Sequence, residues 1–291
     1  MLDLAAHGVE EFVVVIGRGD REIVPYFQDR SDLGASVRLV TQDRPTGMAD
    51  ALAFAAPLIS GDFVLSACDN LVPRADIGRL IELWHRASSL DALLAVMPVP
   101  PDVTGRSGIV ELDDDRVTRI VEKPAPGEAP SNVASLPLYC FARSFLDYLA
   151  AVPVSKRGER ELQDAVQALI ERGGRVRGLP VERRLTLTDP VDLLAINMHY
   201  LASLGLDECP SPEAAGPGTR LVPPVWVGGG ASIGRDCVIG PNVYVEGPCR
   251  IGDGATVRDA VVLRGSTVAG GRVVDRQLVL GESVVAELPG H

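Results

Sequence analysis

The sequence predicts a parallel α/β domain followed by a coil of short stacked strands, and three observations carry that expectation. Apolar runs recur at residues 12–16, 63–65 and 92–97, as suits strands buried on both faces of a sheet, with a further strand at 37–40. Helical patterns separate these runs at the spacing of βαβ units. From residue 221 onward a six-residue rhythm replaces both.

Taken in order, residues 2–7 read as the last turns of a helix stopped at Gly8, so a helix precedes the first strand at 12–16. A helix from Arg21 to Phe27, the strand at 37–40, a helix over 49–56 and the strand at 63–66 follow. A helix over 77–87 and the strand at 92–97 complete the parallel series. Residues 107–112 and 117–121, joined by Asp113, Asp114 and Asp115, read as a hairpin. A further strand is predicted at 138–141, with helices over 144–149 and 161–171. In Asp189-Pro190-Val191-Asp192 the first acid can cap, the proline suits the first helical position, and the second acid favours the positive helix end. That helix runs to about Leu204, which sets the first domain at 1–204.

Residues 205–220 (GLDECPSPEAAGPGTR) have linker composition. In 221–291, Leu221, Val227, Ile233, Ile239, Val245, Ile251, Val257 and Leu263 stand six apart. Four residues after each comes a compact residue, from Val225 and Ala231 to Val261 and Thr267. This hexapeptide repeat predicts a parallel β-helix of under three coils, with the aliphatic position inside. The exposed end of such a coil predicts self-association, and residues 276–291 are placed to cap it.

The chain has 28 Lys and Arg against 39 Asp and Glu, a net charge of −11, which disfavours nucleic acid and anionic membranes as partners. No apolar run approaches the ~18 residues of a spanning helix. The start carries neither a basic segment nor a signal core, so a cytoplasmic location is expected. The five cysteines (68, 140, 209, 237, 249) have no C-x-x-C spacing and read as reduced apolar fillers. No histidine lies between 221 and 290 to serve as the base of a hexapeptide acyltransferase.

The run at 63–66 leads into Ala67-Cys68-Asp69-Asn70. Ligands of open α/β sheets bind beyond the carboxyl ends of the strands, which puts Asp69 and Asn70 on the binding rim. A carboxylate there either holds a hard divalent cation shared with substrate phosphate or caps the helix that follows.

With these residues in view, the chain resembles the sugar-1-phosphate nucleotidylyltransferases over nearly its whole length. The stretch Gln42-Asp43-Arg44-Pro45-Thr46-Gly47-Met48-Ala49 is similar to the family's nucleobase-binding segment, which implies base contacts from Gln42 and the backbone near Gly47. Cys68-Asp69-Asn70 resembles the G-D-N whose acid ligates magnesium. Ser107-Gly108-Ile109-Val110-Glu111 matches a segment where glycine approaches the sugar. Glu122-Lys123-Pro124 matches E-K-P, implying Glu122 on sugar hydroxyls and Lys123 on phosphate, and Asn132 stands where a sugar-contacting asparagine is placed. Residues 157–164 (RGERELQD) are similar to glucose-1-phosphate uridylyl- and thymidylyltransferases.

The resemblance implies a Rossmann-like nucleotidyltransferase domain, then a short left-handed parallel β-helix. It also implies transfer of a nucleoside monophosphate from an NTP to a sugar or cyclitol 1-phosphate, with Mg2+ and with Asp69 and Lys123 as catalytic residues. Three positions depart from the pattern. The glycine-rich phosphate-binding signature is absent, so the first strand-loop unit is lacking. Thr186 stands for a second metal Asp, and Pro137 for a glycine. The alternative these departures favour is a weak or silent homologue that binds nucleotide sugars and assembles with itself or with a complete paralogue.

Overall fold

The computed structural model describes all residues except 21–22, 29–32, 88, 206–208, 210 and 289–291. Expectations for Arg21, part of the 205–220 linker and the end at His291 therefore lie outside the described residues. The chain divides into two units, Met1–Arg184 and Leu185–His291.

In the first unit the elements run α1 (Leu2–Ala5), β1 (Glu11–Gly17), α2 (Ile23–Gln28), β2 (Ser36–Gln42), α3 (Met48–Ala55), β3 (Phe63–Ser66), β4 (Asn70–Leu71), α4 (Arg74–Arg86) and β5 (Ala92–Pro98). Then come β6 (Gly108–Asp113), β7 (Arg116–Glu122), β8 (Val133–Phe141), α5 (Leu162–Glu171) and β9 (Val176–Pro180). Strands β1 and β2 pair in parallel as a sheet of their own. The main sheet has the order β3-β8-β5-β9-β7-β6, and β8 also pairs with β6.

Alternate residues of the sheet face two cores. Leu94, Val96, Val110, Tyr139 and Phe141 pack with Leu52 of α3 and with Leu162, Val166 and Leu169 of α5. Leu93, Ala95, Leu136, Leu138 and Cys140 pack with Leu4 and with Ile77 and Leu80 of α4. Burying both faces needs apolar residues at consecutive positions, which is why the strand at 92–97 shows no alternation.

Four expectations for this unit are corrected. The predicted parallel series does not form one parallel sheet: β1 and β2 make a sheet of their own, and β3 and β5 both lie antiparallel to β8, which stands between them. Strand β9 is unforeseen, because Gly178 and Pro180 break its apolar pattern, yet it lies parallel against β5 in the middle of the sheet. Strand β8 begins at Val133 rather than 138. Its register against β5 jumps from Leu94↔Tyr139 to Ala95↔Leu136, and the bulge takes up Pro137, which has no N–H to give to a ladder. Residues 143–151 form a 3-10 helix instead of an α-helix.

The second unit holds β10 (Leu185–Thr186), α6 (Pro190–Ser203) and three stacks of short strands. One stack is β11 (Arg220–Leu221), β14 (Val238–Ile239), β17 (Thr256–Arg258) and β20 (Val273–Asp275). Another is β12 (Val225–Val227), β15 (Val243–Val245), β18 (Ala260–Val262) and β21 (Gln277–Leu280), closed by antiparallel β22 (Ser283–Glu287). The third is β13 (Ser232–Ile233), β16 (Arg250–Ile251) and β19 (Thr267–Val268). Arg220 pairs with Val238, Val225 with Val243 and Ser232 with Arg250, so each face receives a strand every 18 residues. Four strands on two faces exceed the predicted three coils.

Two more corrections belong here. The rhythm skips a residue after Val257, since Val243 pairs with Ala260, at 17 residues. Asp259 turns the corner at φ 46 and accepts a bond from Asn242 Nδ2 at 2.6 Å. The interior therefore continues through Val262, Val268 and Val274, and the expected Leu263 is displaced from it. Also, α6 belongs to this unit and not to a first domain ending at 204. Its Leu194 packs on Val261, Leu278 and Ala286, the outward residues of one face. Asp189 caps it as predicted, accepting from Asp192 N at 2.9 Å. The linker is partly docked: Cys209 and Ala214 lie against the interior core, and Gly216 N donates to Ile233 O at 2.9 Å.

Candidate functional site

The site is read in the first unit, where β3 and β6 meet end to end along one edge of β8. Ser66 pairs with Leu138 and Ala67 N donates to Pro137 O at 2.9 Å, while Ile109 pairs with Ala134. Two residues of β8, Ser135 and Leu136, separate the junctions at Pro137 and Ala134, which are about 10 Å apart at the rise of a strand. Asp69 and Asn70 leave β3 toward that gap, and Gly108 opens β6 on its other side. Gly108 pairs with Glu122, so Glu122 and Lys123 end β7 at the same level.

Gly108 is enclosed. A Cβ there would lie 2.9 Å from Gln163 Cγ, 2.9 Å from Ser135 Oγ and 3.0 Å from Glu122 Oε2. Ser135 Oγ donates to Gly108 O at 3.3 Å and accepts from the buried Tyr139 hydroxyl at 3.1 Å, which pins this strand start from below. Lys123 has φ 43, in the left-handed region that a lysine rarely adopts, and its N–H donates to Ser107 O at 3.0 Å. Such strain persists only where the surroundings over-determine it, and it tends to mark functional positions.

Glu122 is the electrostatic centre. Its Oε1 lies 3.5 Å from Lys123 Nζ and 3.7 Å from Arg157 Nη2, while Oε2 is buried with no hydrogen-bond partner among the described residues. Burial raises its pKa above the usual carboxylate value; Lys123 opposes the shift and Glu161 adds to it. Arg157 also pairs with Glu161 at 2.8 Å, and Glu161 accepts from Ser155 Oγ at 2.9 Å.

At the end of β2, Gln42 is 8% exposed. The loop after it turns at Gly47, with φ 106 and ψ 167, and closes on Arg160. Arg160 N donates to Thr46 O at 2.7 Å and Ala49 N to Arg160 O at 3.1 Å, so a Cβ on Gly47 would lie 2.4 Å from Arg160 O. The segment 155–161 thus touches the Gly47 loop through Arg160 and the Glu122 floor through Arg157.

The structure brings Gly108, Glu122 and Lys123 together and links Gln42 and Gly47 to them through that segment, while β3 delivers Ala67, two residues before Asp69, to the other side of the gap. Asn132 is set apart. It lies three positions along β8 from Ser135, about 10 Å away on the side remote from β3. Sequence reasoning gave no role to Arg157, Glu161, Ser135 or Tyr139. The R-x-x-x-E spacing of 157–161 was the available signal for the first pair, and the other two carried none.

Asp69 accepts from Asn70 Nδ2 at 2.8 Å, and Asn70 Oδ1 is buried without a partner among the described residues. No group of three or more His, Cys, Asp or Glu that could hold a metal occurs among the described residues. Asn70 turns its NH2 to Asp69 and buries its amide oxygen, so the exposed Asp69 carboxylate is the group of this pair open to a cation; one carboxylate fits a magnesium ion held jointly with substrate phosphates and does not fit a cage made by protein alone. The five cysteines are free thiols; Cys140, Cys237 and Cys249 are buried fillers as expected, whereas Cys68 is exposed and Cys209 half-buried. Among the described residues no helix is long and apolar enough to cross a membrane.

A family model described as nucleotidyl transferase matches residues 1–183, and one described as the GMPPB C-terminal domain matches 221–287. The low-salt glycan biosynthesis nucleotidyltransferase Agl11 of Haloferax volcanii is 31% identical over 70% of the chain, which spans 57% of that protein. A glucose-1-phosphate thymidylyltransferase of Streptomyces griseus is 30% identical over 95% of the chain, which spans 80% of it. Among solved structures, a UDP-glucose pyrophosphorylase complexed with UDP-glucose aligns with a TM-score of 0.57 at 19% identity. The alignment covers 63% of this chain and 77% of that one. The shared feature at that identity is the α/β fold.

Proposed function

From the premise that the chain belongs to the nucleotidyl transferase family, we propose that it joins an NTP and a sugar 1-phosphate into a nucleoside diphosphate sugar with release of pyrophosphate. The observation that carries this reading is the family match over 1–183. The arrangement of Glu122, Lys123 and Gly108 across a gap from Asp69 supports it. A phosphate oxygen of the sugar phosphate attacks the α-phosphorus in line, the bond to the β-phosphate oxygen breaks, and pyrophosphate leaves. Such transfer depends on positioning and charge neutralisation.

Gln42 and the Gly47 backbone hold the base. Glu122 accepts sugar hydroxyls beside Gly108, and Asn132 contributes from the sheet margin. Lys123 presents a positive charge to phosphate. Asp69, whose carboxylate Asn70 Nδ2 braces, would hold magnesium, which would supply charge neutralisation to the phosphates.

The second unit is a left-handed β-helix of hexapeptide repeats. The 18-residue register of its faces, three hexads per turn, supports that assignment. Unpaired strand edges at its end support homo-oligomer formation. A cytoplasmic location follows from soluble substrates of this kind.

The test is a panel of five nucleoside triphosphates against glucose, mannose, N-acetylglucosamine and inositol 1-phosphates with magnesium, read as pyrophosphate. One pair should turn over, and Asp69→Asn should lower its rate by roughly a hundredfold or more. Background rates with every pair refute the activity, and unchanged turnover in Asp69→Asn refutes the metal role.

A further inference from the structure

We propose that Glu161 is a positioning residue at the sugar end of the site. It holds the Arg157 guanidinium away from Glu122, and so keeps Glu122 Oε1 open as an acceptor for a sugar hydroxyl. The inference rests on the reading of Glu122 as a sugar contact given above.

Glu161 stands immediately before α5 and is 6% exposed, yet its side chain does not cap that helix. Its Oε1 instead accepts from Ser155 Oγ at 2.9 Å and pairs with Arg157 Nη2 at 2.8 Å. The loop that delivers both partners is closed on itself. Ser155 N donates to Glu159 O at 2.7 Å, Gly158 N to Ser155 O at 2.9 Å, and Arg157 N to Ser155 Oγ at 3.2 Å. Ser155 Oγ thus donates once and accepts once, and Arg157 is fixed at its backbone as well as at its guanidinium.

The same Nη2 stops 3.7 Å from Glu122 Oε1, and Lys123 Nζ stops 3.5 Å from it. Both distances exceed the ~2.7–3.2 Å of an N–H···O hydrogen bond, so the two cations favour the Glu122 charge without occupying the oxygen. Oε2 is buried, which leaves Oε1 to a ligand. Once the Glu161 charge is removed, Glu122 is the carboxylate within ion-pair reach of Arg157. A guanidinium closed on Oε1 would have to be displaced by each incoming sugar, and a charge-assisted hydrogen bond is worth roughly tenfold in affinity.

Titration reads this arrangement. Burial above all raises the Glu122 pKa; Lys123 and Arg157 lower it, Glu161 raises it, and the Tyr139 hydroxyl also faces it. Asp164, in the first turn of α5, bears on Glu161 and Arg157. Protonation makes Glu122 a weaker acceptor, so kcat/KM for the sugar phosphate should fall on the acid side through that pKa.

The experiment measures kcat and KM of the whole chain from pH 4 to pH 8 with magnesium. The substrates are the triphosphate and the sugar phosphate (glucose, mannose, N-acetylglucosamine or inositol 1-phosphate) that turn over in the panel above. At pH 7 Glu161→Gln should raise KM for the sugar phosphate roughly tenfold while kcat stays within about threefold. Its acid limb should move to lower pH by roughly one unit, because a like charge is gone and Arg157 is nearer. Arg157→Met should move the limb the other way, to higher pH. Ser155→Ala loosens the loop with every charge kept, and should leave the limb in place. Shifts of one sign in Glu161→Gln and Arg157→Met, no shift in either, or an unchanged KM in Glu161→Gln overturn the inference. If Glu161→Gln does not fold, a limb that fails to rise in Arg157→Met overturns it alone. Each of these results leaves the sugar contact standing. An unchanged KM in Glu122→Gln removes that reading together with the inference, as does absence of turnover throughout the panel.

Discussion

Replacing Gly47 by alanine tests how tightly the nucleotide-side loop is clamped. At φ 106 and ψ 167 the residue occupies a region that is essentially glycine's alone, and an L side chain there costs about 1–3 kcal/mol. The added Cβ would also meet the Arg160 backbone, at 2.4 Å from its O, 2.7 Å from its N and 2.9 Å from its C. Relief requires the loop to move away and give up one of the two bonds that join Arg160 to Thr46 and Ala49, for about 1 kcal/mol more. The expected loss is therefore about 2–4 kcal/mol, a large share of the ~5–15 kcal/mol that holds a domain together. Urea unfolding followed by tryptophan fluorescence measures it. Trp84 lies in the first unit and Trp226 in the second, so a Trp226→Phe background reports the unit that carries Gly47. Gly8→Ala is the control: its φ is 90 with nothing within 4 Å of the added methyl, so it bears only the backbone cost. Equal losses for the two variants, or a loss below about 0.5 kcal/mol at Gly47, would refute the clamp.

The displaced rhythm in the second unit predicts that Val262→Asp, which buries an unpaired carboxylate in the coil, costs on the order of 4 kcal/mol. Leu263→Asp, on the outer face, should cost clearly less; the reverse ranking in denaturant titrations would restore the uninterrupted hexads. At Asp164, burial first and the Glu161 charge second raise the carboxyl pKa, with Arg157 opposing. A raised acid stabilises most below its unfolded pKa and loses that contribution as pH climbs through the folded value. Asp164→Asn should therefore gain stability relative to the parent from pH 4 to pH 7, and a difference that shrinks over that range contradicts the assignment. Arg157→Ala leaves Glu122 and Glu161 with Lys123 as the nearby cation; because Arg157 is part-exposed, a loss of about 1 kcal/mol at pH 7 is expected. The loss should fade toward pH 4 in the same unfolding assay as Glu122, whose pKa burial raises, takes up its proton.

Much of the fold is legible in the residues. Strands 63–66 and 92–98, the hairpin at 108–122, the Asp189 cap and the strands of the coil follow from local patterns, because apolar periodicity and capping chemistry act over a few residues. Strand β9 escaped because its place beside β5 is decided by a neighbour some eighty residues distant, while its own Gly178 and Pro180 argue against a strand. The skipped residue at Asp259 escaped for a related reason. Leu263 and Val262 are both branched aliphatics, and only pairing with Val243–Val245 says which one turns inward. In the site, E-K-P named Glu122 and Lys123. The Arg157–Glu161 pair and the Tyr139–Ser135 support depend on a loop folding back across the sheet.

By itself the chain of residues dictated two architectures and the chemical character of the groups that carry function, since side-chain type and short-range spacing are properties of the polymer. Tertiary structure alone decided which carboxylates share one environment, that Glu122 holds an unpaired oxygen above a glycine with no room for a methyl, and that α6 covers the coil. Those outcomes depend on desolvation and contact across the fold, and neither exists until distant segments pack together.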